Sequence, residues 1–80
     1  MAKIVFPDSF LAYTDGVRET ESDVRVYRDL VRELSARWPA LQEKLERTAV
    51  AIDGQIYQDA FLETINADSE VFFMARIEGG

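Results

Sequence analysis

Residues 49–57 read Ala49-Val50-Ala51-Ile52-Asp53-Gly54-Gln55-Ile56-Tyr57, and their pattern decides the fold. Val50 and Ile52 alternate with the smaller Ala49 and Ala51, a period of two that belongs to a strand. Asp53-Gly54 then supplies the residue pair that tolerates positive φ twice, as a two-residue hairpin turn requires. Gln55, Ile56 and Tyr57 are therefore expected to return as the second arm. An all-helical chain would leave this stretch unexplained.

Upstream the period is 3.6. Tyr27, Leu30, Val31, Leu34 and Trp38 fall at i, i+3, i+4, i+7 and i+11, which places them on one face of a helix. Arg28, Asp29, Arg32, Glu33 and Arg37 point elsewhere. Asp29 with Arg32, or Glu33 with Arg37, is expected to form a weak surface pair of roughly 0.2–0.5 kcal/mol. Pro39 stops this helix, because the residue before a proline avoids the α region. A second short helix is expected over residues 40–47, with Leu41 and Leu45 four apart.

Both ends of the chain read as strands. Lys3-Ile4-Val5-Phe6 is short and apolar, and Pro7 closes it because proline has no N–H for a sheet ladder. Asp8-Ser9 is expected to cap a turn of helix through Tyr13, and Thr14-Asp15-Gly16 is a turn signal. Residues 17–22 read as a polar edge strand. Residues 58–69 are expected to anchor themselves through buried Phe61, Leu62 and Ile65, with a turn over residues 66–69. Glu70-Val71-Phe72-Phe73-Met74 is the last strand. One main helix packed on a mixed sheet of four to five strands is the simplest α+β solution, with the first and last strands side by side at its centre. A domain over residues 1–75 and a tail over residues 76–80 are expected, without repeats or a linker.

Composition narrows the chemistry. The 80 residues carry 15 acids against 9 bases, a net charge of −6, with no cysteine and no histidine. That removes thiol nucleophiles, Ser-His pairs and metal sites built on nitrogen or sulfur ligands. No metal ligand set is assigned. The acidity disfavours nucleic acid and favours a neutral or basic protein partner. No apolar run approaches the ~18 residues of a membrane span, and no targeting segment is read. A cytoplasmic location is expected. Glu19, Glu21 and Asp23 read as an exposed acidic edge, and no catalytic dyad is assigned.

The chain ends in Gly79-Gly80. Without a Cβ, such a tail is able to thread a channel too narrow for other residues. Its carboxylate becomes reactive once joined to AMP, when a nucleophile such as sulfide or persulfide is able to attack it.

These elements together resemble the molybdopterin-synthase small subunit and thiamine sulfur-carrier family (MoaD/ThiS-like), ubiquitin-like β-grasp proteins. The resemblance rests on several pieces in order. They are Lys3-Ile4-Val5-Phe6, Leu30, Val31 and Leu34 leading to Arg37-Trp38-Pro39-Ala40-Leu41, Val50-Ala51-Ile52-Asp53-Gly54, Ile65 with Asp68-Ser69-Glu70-Val71 and Phe73, and Gly79-Gly80. Ala75 and Arg76 stand where many relatives carry Pro-Pro, and Glu78 stands where small residues are usual.

The resemblance implies a ubiquitin-like β-grasp with a flexible C-terminal Gly-Gly tail, and a carrier rather than an enzyme. An E1-like adenylating enzyme would use ATP with magnesium to adenylate Gly80, so no cofactor is bound by the chain itself. Sulfur transfer would convert Gly80 to a thiocarboxylate, and a sulfur-acceptor subunit or synthase would receive it for biosynthesis of a cofactor such as molybdopterin. A ubiquitin-like modifier joined through Gly80 and a non-catalytic interaction subunit are the alternatives. Ile77, Glu78 and Gly79 complete the tail with Arg76, which is expected to meet an acid on a partner or to stand in solvent. Strand alternation places Val71, Phe73, Ile4 and Phe6 in the core. Phe72, Met74, Val5 and Pro7 then lie on an open, partner-binding face.

Overall fold

The Asp53-Gly54 hairpin forms as its residues require. Asp53 has φ 51° and Gly54 φ 84°, and β3 (Thr48–Ile52) pairs antiparallel with β4 (Gln55–Tyr57). A computed structural model describes residues 1–76 and supplies the remaining elements. These are β1 (Ala2–Val5), a 3-10 turn (Asp8–Phe10), β2 (Glu19–Ser22), α1 (Tyr27–Arg37), α2 (Leu41–Glu46) and β5 (Glu70–Ala75). The five strands form one mixed sheet in the order β2-β1-β5-β3-β4. β1 and β5 run parallel at its middle, and the other pairs are antiparallel. The short polar β2 and the three-residue β4 occupy the edges, where brief strands limit unwanted pairing.

α1 covers one face of this sheet. Its Tyr27, Leu30 and Leu34 are buried, together with Ile4, Phe6, Val50, Ile52, Val71 and Phe73 from the strands. Leu41 and Leu45 close the cluster from α2. Five aromatic rings lock the centre. Phe6 stacks on Phe73 at 6.0 Å and meets Trp38 edge-on at 5.5 Å, while Phe10 stacks on Phe73 at 5.6 Å and Tyr27 lies 6.4 Å from Phe73. Burial raises the Tyr27 phenol above its ordinary pKa, so the ring stays neutral and apolar at physiological pH.

Several expectations are corrected. Phe61 and Leu62 are 53% and 70% exposed, and Ala60 and Ile65 are the buried residues of their segment. The reason is a backbone constraint. No side chain caps α1; instead the Tyr27 N–H donates to the Glu63 carbonyl (3.0 Å) and the Arg28 N–H to that of Phe61 (2.9 Å). The carbonyls of this strap are committed to the helix start, whose first N–H groups need partners from outside the helix. The Glu33–Arg37 pair does not form. Glu33 accepts from the Ser22 hydroxyl at 2.5 Å. Arg37 donates to Thr20 Oγ1 at 3.0 Å and lies 4.2 Å from the Trp38 ring centre. Asp29 does lie 3.9 Å from Arg32. Asp8 and Ser9 give no side-chain cap to the 3-10 turn; Asp8 accepts from Arg18 at 3.0 Å. Val31 is only partly buried.

Asp53 has a second task. Its carboxylate accepts from the Ser69 hydroxyl (2.7 Å) and from the Glu70 N–H (2.9 Å), while its own N–H donates to the Glu70 carbonyl (2.9 Å). The β3–β4 turn is thereby tied to the start of β5. The two bonds to the charged form, led by Ser69, hold the Asp53 carboxyl below its ordinary pKa. A lowered carboxyl pKa contributes stability above the unfolded-state value, and that contribution disappears as pH falls through the folded-state value. Asp53→Asn keeps a residue that accepts positive φ but removes the charge. The variant is expected to have a lower Tm at neutral pH and to lose less Tm than the parent between about pH 7 and about pH 3. Thermal melts monitored by circular dichroism check this, and parallel pH profiles would contradict it.

Candidate functional site

β5 lies at the heart of the sheet and carries the chain toward its tail. Ala75 is paired with Thr48 at the last rung of the β3–β5 ladder. The tail residues Ile77, Glu78, Gly79 and Gly80 lie outside the described residues. Arg76, directly before them, is exposed. Its guanidinium donates to the carbonyls of Glu46 (3.3 Å) and Gln58 (3.2 Å). No sequence pattern announces this contact, because both acceptors are backbone atoms.

The side of the sheet away from α1 bears the expected apolar face. The register aligns Val5 with Phe72, Phe72 with Ala51, and Ala51 with Ile56. Alternation puts these four side chains on the same side, so they form a continuous row across four strands. Phe72 is 39% exposed and Ile56 51% exposed, whereas Val5, Pro7 and Met74 are half-buried. Ala51 and Ala49 are buried and face Phe72 and Met74 across the β3–β5 ladder. The small alanines form a floor between larger neighbours. Ile56 was not among the sequence candidates, although its position opposite Ala51 follows from the two-residue turn.

A charged row borders the apolar one. Lys3 is aligned with Glu21 on one side and Glu70 on the other, and it lies 3.4 Å from Glu19, which is opposite Val5. Acids outnumber the single lysine there. Among the described residues no cluster of three or more acids is arranged to hold a metal ion, and no helix is long and apolar enough to cross a membrane.

No protein-family model and no curated protein sequence matches the chain. Solved structures do resemble it. A chain of the Amycolatopsis orientalis BexX/CysO complex superposes with a TM-score of 0.84 at 10% identity, over 100% of both chains. A putative molybdopterin converting factor subunit 1 from Pyrococcus furiosus gives 0.76 at 20% identity, over 95% of this chain and 97% of that one. SAMP1 from Haloferax volcanii gives 0.76 at 19% identity, over 99% and 98%. At such identities the likeness is one of fold, and the fold is the ubiquitin-like β-grasp.

Proposed function

We propose that this chain is a ubiquitin-like sulfur carrier whose reactive group is the carboxyl carbon of Gly80. The observation that supports it most is a conjunction. A β-grasp that matches molybdopterin converting factor subunit 1 nearly end to end directs its central strand into a segment closing with Gly79-Gly80. In this reading an E1-like partner joins the Gly80 carboxylate to the α-phosphate of ATP, with magnesium, and releases pyrophosphate. Hydrosulfide then attacks the acyl carbon, the bond to AMP breaks, and AMP leaves as the thiocarboxylate forms. The thiocarboxylate passes its sulfur to an acceptor subunit or synthase. The chain supplies the leash and the docking face, and its partners supply the catalytic groups.

The open face is where those partners dock. An aromatic side chain held at the centre of an apolar row, rimmed by charge, has the anatomy of an interface hot spot. Phe72→Asp is expected to weaken binding of the adenylating partner by roughly 2 kcal/mol, about thirtyfold in Kd. The cost to folding should be only about 1 kcal/mol, because Phe72 lies outside the core. Calorimetric titration and urea unfolding measure the two effects. A larger loss in folding than in binding would contradict the assignment.

Intact-mass spectrometry of the protein from its native host separates the alternatives. Sulfur in place of one oxygen at Gly80 supports the carrier. An isopeptide linkage from Gly80 to a lysine supports a modifier. An unaltered acid under every sulfur supply supports an inert subunit.

A further inference from the structure

A recess lies on the helix side of the sheet, away from the Phe72 row. It is a groove of about 610 Å³ bounded by Tyr27 and Val31 of α1, Leu45, Val50, Ala60 and Phe61. Its floor is apolar. Phe61 stands 53% exposed beside it and Leu62 of the same strap is 70% exposed. The strap's backbone bonds to the start of α1 keep these rings and chains at the surface, so the apolar exposure is built into the fold. Exposed apolar patches of this kind mark interaction sites.

The mouth of the groove has the opposite character. The Glu46 and Asp59 residues line it, with Gln58. The carbonyls of Glu46 and Gln58 converge there on a single nitrogen of the Arg76 guanidinium, at 3.3 and 3.2 Å. The mouth is therefore an acceptor site for a planar, multi-donor cation, set in a chain of net charge −6. In the free protein its own Arg76 occupies that site, through two long bonds on an exposed side chain.

We propose that this groove docks a segment of a partner protein in which an apolar side chain is followed by an arginine. The apolar group fills the floor between Val31, Ala60 and Phe61. The arginine takes the carbonyl pair that Arg76 holds, under the field of Glu46 and Asp59. Arg76 is the internal competitor for the site. Because the groove and the Phe72 row lie on opposite sides of the sheet, both surfaces are open at the same time. Binding here requires no chemistry at Gly80, so it stands or falls apart from the sulfur-carrier reading.

The probe is a synthetic pentapeptide with Leu-Phe-Leu between two arginines, and its control replaces both arginines with glutamates. Titration of the intact chain, followed by amide chemical shifts, is expected to perturb Val31, Ala60 and Phe61 with the arginine peptide alone. Glu46→Lys should weaken that binding about tenfold, and Arg76→Ala should tighten it several-fold by removing the competitor. Added salt should weaken it. Equal binding of the two peptides, no binding at millimolar concentration, perturbations confined to Val5, Phe72 and Ile56, or an Arg76→Ala variant with unchanged or weaker affinity would each overturn the proposal.

Discussion

Removing Gly80, or adding one residue after it, is expected to abolish sulfur loading while Tm stays where it was. Loading under the proposed chemistry needs a free carboxylate on a residue without a Cβ, at a fixed distance from the domain. Shortening the chain by one residue withdraws that carbon from the partner's reaction centre, and misplacements of even ~1 Å in such centres cost roughly a hundredfold in rate. An added residue converts the carboxylate to an amide, which ATP cannot adenylate. Among the described residues the buried cluster runs from Ala2 to Phe73, and the fold is expected to survive either change. Sulfur loading with the adenylating partner, followed by mass spectrometry and paired with a thermal melt, checks both halves. Undiminished loading of either variant would mean that another group reacts.

The largest expected effect on folding comes from Phe73→Ala. Phe73 is buried and touches the rings of Phe6, Phe10 and Tyr27. Truncating a buried phenylalanine costs about 3–5 kcal/mol through lost burial and the cavity left behind. A domain of this size seldom has more than ~3–5 kcal/mol of net stability, so the variant is expected to be largely unfolded at room temperature. Phe72→Ala, one residue earlier on the open face, is expected to retain a cooperative transition. Urea unfolding followed by circular dichroism compares them. If Phe72→Ala unfolded and Phe73→Ala did not, the assignment of the two sheet faces would be reversed.

That contrast shows why so much of the fold was legible. Two adjacent phenylalanines were assigned to opposite sides from strand alternation alone, and the exposures agree. The Asp53-Gly54 turn announced its own hairpin because few residue pairs accept positive φ twice, and both do so here. The helical face from Tyr27 to Trp38 was written in its spacing. The central pairing of first and last strands followed from their being the most apolar, and the parallel β1–β5 ladder bears it out.

The misreadings share a different cause. Phe61 and Leu62 looked like core residues because they are large and apolar. Their position is set by backbone carbonyls that cap a helix more than thirty residues earlier, and backbone atoms leave no mark in a sequence. Arg76 escaped for the same reason, since its acceptors are carbonyls of two distant segments. Glu33 was drawn across to Ser22 instead of along its own helix to Arg37, a choice made by packing and not by spacing. Ile56 could have been found, because its partner Ala51 follows from counting residues across the turn.

The absence of cysteine makes the central claim open to a clean measurement. With no thiol in the chain and neither methionine nor cysteine after Met74, alkylation on sulfur within residues 77–80 can be reporting only an acquired sulfur. Protein isolated from its native host is treated with iodoacetamide and cut after Arg76 with trypsin, and the peptide covering residues 77–80 is sequenced by mass spectrometry. A carbamidomethyl group on sulfur at the Gly80 carbonyl is the predicted result. An unlabelled carboxylate on that peptide under every sulfur supply, or a native chain that continues past Gly80, would contradict it.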